Sequence, residues 1–363
     1  MKRILISQRG GDLSAAVLIN GELDAFYSSN NNSPRLVGNI YKGRVQNCLP
    51  GMNAAFVDIG RDKNVFLQSN QNFRVGQDVL IQIEKEPVGS KGARATLNIS
   101  LAGHFLIFLP TLNYVGVSGK IQGSERDRLH ALAKKIRPKE AGLIVRTAAA
   151  ACDEQTLLGD LDKLTAIWSR IVERNAKRKP PALLYSDNDL LDMIIRDEFS
   201  PDAQIIVDNI NLQRRLGELV PADNISFHDD SAQIFDAFGI ADELKKLNQR
   251  ELTLPGGGQI VFDKTEALTA VDVNTGKFIG RDNFDETILK TNLEAAALIL
   301  KQIRLRDLGG IIIVDFIDMN SDAHNRRLMN FLRQNALRDR NKTKIVDMTP
   351  LGLVEITRHR SRK

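Results

Sequence analysis

Leu268-Thr-Ala-Val-Asp272-Val-Asn274 and, further along, Ile311-Ile-Ile-Val-Asp315-Phe-Ile-Asp318 stand in the last third of a chain of 363 residues. Each is an apolar run of strand length that meets an aspartate, and the second opens directly after Gly309-Gly310. The period of two in a strand points Asp272 and Asn274 to one face. Between the runs, Leu293, Ala296, Ala297, Leu300 and Ile303 recur at helical spacing and predict a helix from about 285 to 307. Strands at 258–263 and 344–348 and a helix over 322–340 complete an alternation that predicts an α/β layer with a largely parallel centre. Ligands of open α/β sheets gather outside the carboxyl ends of the strands, where adjacent strands would bring Asp272 and Asp315 within reach of one ion. Magnesium suits such a place, because it is held by one or two carboxylates and takes its other oxygens from water and phosphate. Asn274 would then orient Asp272. The competing reading is that strand-end aspartates cap the following helix or turn. On the polar side of the intervening helix, Lys290, Lys301, Arg304 and Arg306 are either a phosphate-holding face or a solvated one.

Working outward, residues 37–96 change to short strands separated by turn signals, about five in all, the pattern of a small barrel of the OB type. Tyr41, Phe56 and Phe66 are interleaved there with Lys42, Arg44, Lys63, Lys85, Lys91 and Arg94. Rings that stack bases beside a basic groove are the usual design of single-strand binders on that fold. The alternative places Phe56 and Phe66 in the barrel core. A mixed region follows, with a helix over 124–136, a strand at 143–146 and a long helix over 153–177. Its strand delivers Arg146 and Thr147 at its end, a fork donor and a hydroxyl suited to a terminal phosphate, or else a structural ion pair. The run Lys177-Arg178-Lys179-Pro180-Pro181 marks a boundary. The first 36 residues read as two strands around a Gly10-Gly11-Asp12 turn, too few to fold alone, and are expected to complete the unit formed by 183–247.

The bulk numbers agree with an ordinary globular chain. At 363 residues, two to four compact units are expected, and 42% apolar with 26% charged residues excludes a disordered or fibrous class. Apolar runs such as Ile311 to Val314 fall far short of the roughly 20 residues that span a bilayer, and the run after Met1-Lys2-Arg3 is too short for a signal peptide. Two cysteines, Cys48 and Cys152, with no Cys-x-x-Cys pair, support neither a disulfide framework nor a cysteine zinc site, so a cytoplasmic location is expected. The net charge of +5 is uneven, since residues 321–363 hold eleven Lys or Arg against four Asp or Glu, a balance of +7. Such clustering attracts polyphosphate backbones or is a solvated helix face with a basic tail.

These pieces occur in one order that resembles the ribonuclease E/G family. The resemblance runs from about residue 37 to the last residues. It is densest in Gly38-Asn-Ile-Tyr-Lys-Gly-Arg44, Ala54-Ala-Phe-Val-Asp58, Ile144-Val-Arg-Thr147, Thr265-Glu-Ala-Leu-Thr-Ala-Val-Asp-Val-Asn274, Thr291-Asn-Leu-Glu-Ala-Ala296, Arg304-Leu-Arg-Asp-Leu-Gly-Gly310 and Val314-Asp-Phe-Ile-Asp318. It implies an α/β multidomain chain: an RNase H-like domain (1–36 plus 183–247) interrupted by an OB-fold RNA-binding barrel (37–100) and a 5'-sensor domain (101–182), then a DNase I-like catalytic domain (248–363). It further implies a magnesium-dependent endoribonuclease that cuts single-stranded, often A/U-rich RNA to 5'-phosphate and 3'-hydroxyl ends. Asp272 and Asp315 match its metal ligands, Asn274 the residue that orients the first, Arg146 and Thr147 the 5'-monophosphate grip, and Phe56, Phe66 and Lys91 barrel contacts to RNA. The sequence departs from the family pattern in two places. No Cys-Pro-x-Cys zinc link follows the last motif, so a homodimer is expected to form without it. The loop after Thr147 reads Ala148-Ala-Ala-Ala-Cys152, and Gly119-Lys120 stands where two basic residues are expected, which points to weakened end-sensing. A non-cleaving RNA-binding protein of ribosomes or RNA folding is the alternative function.

Overall fold

The computed structural model describes residues 1–29, 36–87, 91–187, 189–230, 232–275 and 284–359. The chain divides into two compact units, Met1–Asn30 with Asp202–Lys363, and Asn31–Pro201. It opens on three strands, β1 (Lys2–Arg9), β2 (Asp12–Ile19) and β3 (Glu22–Ser28), a meander of which sequence patterning finds only the first two. Gly10, Gly11 and Gly21 hold the positive φ angles that its two tight turns require.

In the unit Asn31–Pro201, strands β4 (Ile40–Leu49), β5 (Ala54–Asp58), β6 (Val65–Gln68), β7 (Asp78–Lys85) and β8 (Arg94–Thr96) run in the order β4-β5-β6-β8-β7, and β7 pairs back onto β4. The result is the closed five-stranded barrel expected from the turn spacing. Val45, Ala55, Val57, Val65, Leu67, Ile81, Ile83 and Ala95 fill it. Gly43 is needed there because a Cβ would collide with the Val57 side chain and the Asp58 carbonyl. A second sheet, ordered β11-β12-β10-β9, consists of β9 (Leu101–Ala102), β10 (Leu106–Leu109), β11 (Val115–Val117) and β12 (Gly142–Val145). Helices α1 (Gly123–Ile136) and α2 (Glu154–Lys177) pack on it through Leu129, Ala133, Leu157, Leu161 and Leu164. Asp160 of α2 secures the packing by accepting backbone N–H bonds from Phe105 and Leu106, each at 2.9 Å. Strand β13 (Ala182–Tyr185) adds to the barrel, Leu183 opposite Tyr41, and α3 (Leu190–Glu198) completes the unit.

In the other unit, β14 (Gln204–Val207) pairs in parallel with β1, and β15 (Ile225–Phe227) with β14, giving the order β15-β14-β1-β2-β3. Helices α4 (Ile210–Gly217), α5 (Ile234–Ala237) and α6 (Ala241–Lys246) accompany this sheet. Next come β16 (Glu251–Thr253), β17 (Gln259–Lys264), β18 (Leu268–Asn274), α7 (Phe284–Leu305), β19 (Gly310–Asp315), α8 (Asp322–Ala336), β20 (Thr343–Met348) and β21 (Leu353–Arg358). Their sheet has the order β16-β17-β18-β19-β21-β20. The expectation of a largely parallel centre is corrected here, because only β18 and β19 are parallel and the other four pairings are antiparallel. The reason is β21, a strand absent from the sequence reading, which enters as a hairpin with β20 and fills the far side of β19. Ala296, Leu300 and Ile303 of α7 are buried as expected and Leu293 packs at the edge of the core, whereas Ala297 is exposed.

Arg358, 3% exposed on β21, ties this layer together. Its guanidinium donates to Asp339 Oδ2 at 2.7 Å, to Asp307 Oδ1 at 2.9 Å and to the Leu308 carbonyl at 2.8 Å. Asp307 follows α7 and Asp339 follows α8, so one cation fixes both helix exits to the last strand. Burial alone would raise the Asp339 carboxyl, but hydrogen bonds from Arg358 and Thr343 and the arginine charge hold it below the usual range. Removing the cation strands two carboxylates, so Arg358→Ala is expected to cost about 3–5 kcal/mol in urea unfolding. A depressed folded-state pKa supplies stability that is present above the unfolded value and lost as pH falls through the folded one. Acid unfolding below about pH 4 should therefore lose part of its steepness in Asp339→Asn.

Candidate active site

The parallel register of β18 and β19 sets Asp272 directly beside Asp315. Val271, Val273, Ile312 and Val314 alternate with them and are buried under α7 and α8, so period-two geometry turns both carboxylates and Asn274 to the open face, where all three are exposed. Asn274 Nδ2 donates to Asp272 Oδ2 at 2.7 Å, which fixes one oxygen of that carboxylate and leaves the other free to face a ligand. Partial burial, then the negative charges of Asp272 and Asp318, raise the Asp315 carboxyl above its ordinary value. Two carboxylates forced together in this way favour a cation between them. The helix-capping alternative does not describe Asp315, because Ser321 stands at the N-cap of α8.

The donor set is hard oxygen, with neither sulfur nor imidazole in the motif, and it fits a hard divalent cation. Among the described residues no group of three or more His, Cys, Asp or Glu is arranged to hold a metal, so an ion here would take most of its ligands from water and substrate. Sequence reasoning missed a supporting residue, Asn292. It is fully buried on α7, donates to the Ile317 carbonyl at 2.8 Å and accepts from the Ile317 N–H at 3.1 Å. The amide thereby pins the backbone between Asp315 and Asp318. Its signal was a lone amide on the stripe shared with Ala295, Ala296 and Ile299, a place where polar groups persist only when hydrogen-bonded.

The barrel separates its candidates. Phe56 and Phe66 are cross-strand partners on the outward face, partly exposed and packed edge to face with centroids 5.9 Å apart. The core alternative is thus set aside, since Ala55, Val57, Val65 and Leu67 occupy the interior positions. Lys91 is exposed. Tyr41 is corrected: it is 3% exposed inside the barrel and not a surface for bases. Lys42 is corrected too, because its ammonium donates to the Asn175 carbonyl near the end of α2 at 2.8 Å, where it serves the helix terminus. At the end of β12, Arg146 donates to Asp197 at 2.6 Å and to the Gly103 carbonyl, the structural ion pair that was the alternative reading of this residue. Thr147 shares a hydrogen bond of 2.8 Å with Ser118 and is exposed.

The supposed phosphate face of α7 is mostly consumed by packing. Lys301 pairs with Glu243 at 2.5 Å, Arg304 with Asp24 at 3.5 Å, and Arg306 lies over the Phe262 ring at 4.5 Å, leaving Lys290 as the exposed cation of that set. In the basic stretch, Arg358 is internal and Arg340 meets Tyr27, whereas Arg326, Arg327, Arg333 and Arg338 line the surface of α8 and its exit. Gly276 of the first motif and Arg360, Arg362 and Lys363 of the tail lie outside the described residues.

Comparison with known proteins meets this geometry from the other side. A sequence profile of the Ribonuclease E/G family matches residues 100–361, which include both aspartate strands. Ribonuclease G of Salmonella typhimurium is 37% identical over 99% of this chain and 80% of its own length. Ribonuclease G of Haemophilus influenzae is 37% identical over 90% of this chain and 73% of its own. Ribonuclease E of Synechocystis is 36% identical over 89% of this chain and 52% of its own. With the profile covering most of the chain and the barrel, the paired aspartates and the orienting asparagine in the expected order, the chain belongs to the ribonuclease E/G family.

Proposed function

We propose that this chain is a magnesium-dependent endoribonuclease of RNA processing or decay that cleaves single-stranded RNA to 5'-phosphate and 3'-hydroxyl ends at Asp272 and Asp315. The observation that carries the proposal is the register that sets these two exposed carboxylates side by side on adjacent parallel strands. Asp272 and Asp315 would hold the ion, which when bound lowers the pKa of a water and offsets charge on the phosphate. Asn274 keeps Asp272 in one orientation, and Asn292 keeps the backbone beyond Asp315 in place. Phe56 and Phe66 offer stacking surfaces for bases and Lys91 a charge for the backbone, a combination that suits single strands.

The finer architecture goes with this reading. The sheet of β1–β3, β14 and β15 corresponds to an RNase H-like domain, the barrel to an OB-fold, the β9–β12 sheet with α1 and α2 to a 5'-sensor domain, and the sheet from β16 onward to a DNase I-like domain. Arg146 and Thr147 are proposed as the 5'-monophosphate grip, with Arg146 exchanging part of its contact with Asp197 for phosphate. A homodimer and a cytoplasmic location are part of the same proposal. The two unpaired cysteines accord with a reducing compartment. No helix among the described residues is long and apolar enough to cross a membrane.

The decisive experiment incubates a 5'-monophosphorylated single-stranded RNA with the protein and magnesium. Asp272→Ala and Asp315→Ala should each slow cleavage by at least about 100-fold, ~2.7 kcal/mol of barrier, while RNA binding in EDTA persists. Binding without cleavage by the unaltered protein would instead identify a non-cleaving RNA-binding protein. Asn274→Ala, which frees Asp272 without removing a ligand, should lose roughly 10–100-fold and be partly restored by higher magnesium. Arg146→Ala should reduce the rate advantage of 5'-monophosphate over 5'-hydroxyl substrate, and an unchanged ratio would leave Arg146 a structural ion pair.

A further inference from the structure

The row of side chains that holds the paired acids continues across one more strand. Asp272 lies opposite Asp315, and Asp315 lies opposite Leu353 of β21. Val354 is fully buried, so Leu353, which is partly exposed, shares the open face with the carboxylates. Immediately before it, Thr349-Pro350-Leu351-Gly352 turns β20 into β21, and Leu351 at its tip is 81% exposed. The tip is held tightly. Gly352 N–H donates to the Thr349 carbonyl at 2.9 Å, Thr349 N–H to the Leu353 carbonyl at 2.8 Å, and Leu353 N–H to Thr349 Oγ1 at 3.2 Å. Pro350 presets the second position of the turn, and Gly352 supplies φ +83°. Gly352 also abuts the acidic loop, since a Cβ there would stand 3.6 Å from Asp318 Oδ1.

A rigid turn therefore carries a nearly bare leucine at the end of the sheet where the carboxylates converge, with partly buried Met319 and Met348 packed at the edge of the core nearby in the chain. A hydrocarbon beside three negative groups is useless to a cation or a phosphate. It suits the other part of a nucleotide that must lie there, the flat face of a base. Resting on the proposed site, we infer that Leu351, with Leu353 behind it, is an apolar shelf against which the nucleobase next to the scissile phosphate packs. Leu351 is a substrate-contact residue that sets how a strand seats over the acids and which bases are favoured there. An aliphatic contact prefers large base faces to specific hydrogen-bond patterns, so its selectivity is by stacking area.

The test compares Leu351→Ala and Leu351→Phe with the unaltered protein on a short single-stranded RNA whose cut position has been mapped, and on versions with an abasic nucleotide on either side of the cut. Leu351→Ala should raise KM by about 3- to 10-fold with kcat changed much less and thermal stability unchanged, since the side chain is outside the core. Leu351→Phe should keep KM at or below that of the unaltered protein. On the abasic substrate at the contacted position, the difference between Leu351→Ala and the unaltered protein should vanish. Equal KM values on the intact RNA, or a KM penalty that persists undiminished on both abasic substrates, would overturn the shelf. Fluorescence anisotropy of the same oligonucleotides in EDTA reads the contact without cleavage. A protein that never cuts would thus defeat the nuclease reading, whereas equal affinities of Leu351→Ala and unaltered protein would defeat the shelf alone.

Discussion

Two like charges held side by side against their repulsion are the constraint around which this structure is arranged. Carboxylates on neighbouring parallel strands, at roughly 5 Å and an effective dielectric of about 20, repel by about 3 kcal/mol. The hydrogen bond that the Asn274 amide donates to Asp272 offsets only part of that cost. What imposes it is the apolar set on the other face, in which Val271 pairs with Val314 and both lie buried beneath the helices. A slip of one residue would drive the acids into the core and the valines into water, so the hydrophobic pattern fixes the acidic pair.

The helix layer converts that pattern into a rigid platform, and it does so with polar groups placed where apolar ones are expected. Asn292 is fully buried yet satisfied, because both ends of its amide meet the same peptide unit at Ile317. Arg358 is equally interior and equally satisfied, by two carboxylates and a carbonyl. An unpaired group at either place would cost several kcal/mol, so each contact specifies one geometry rather than merely adding to stability. The consequence reaches the site directly, since one clamp lies two residues beyond Asp315 and the other holds the strand that borders it.

Periodicity made much of this legible and left specific parts hidden. The runs ending at Asp272 and Asp315 announce two strands and an acidic tip without any structure, and the turn spacing announces the barrel. Parallel pairing of those two strands followed from the helix between them, but the direction of the others did not, because Leu353–Arg358 was overlooked as a strand and its hairpin sets the sheet's antiparallel half. Charge was the poorest guide. Lys301, Arg304, Arg306 and Arg358 look alike in sequence to exposed cations, and only the fold reveals that they are spent on Glu243, Asp24, the Phe262 ring and the Asp307–Asp339 pair. Tyr41 and Lys42 failed for the same reason: a residue type suited to RNA says nothing about which way the strand turns it. Phe56 and Phe66 were undecidable from composition, whereas their alternation with Ala55, Val57, Val65 and Leu67 decides it once the interior face is known.

That alternation also separates chemistry from stability. In β5, β6, β18 and β19, one face is core and the other carries Phe56, Phe66, Asp272 and Asp315, so these candidate site residues lie outside the core that keeps their own strands folded. The acids are even a liability, since partial burial and the neighbouring charges of Asp272 and Asp318 raise the Asp315 carboxyl. The hairpin tip extends the same logic beyond the strands: Thr349, Pro350 and Gly352 hold the turn, and Leu351, which they display, holds nothing. A side chain that the fold does not need, fixed in position beside the groups that the fold strains to bring together, is best understood by what it would touch when a strand of RNA lies across them.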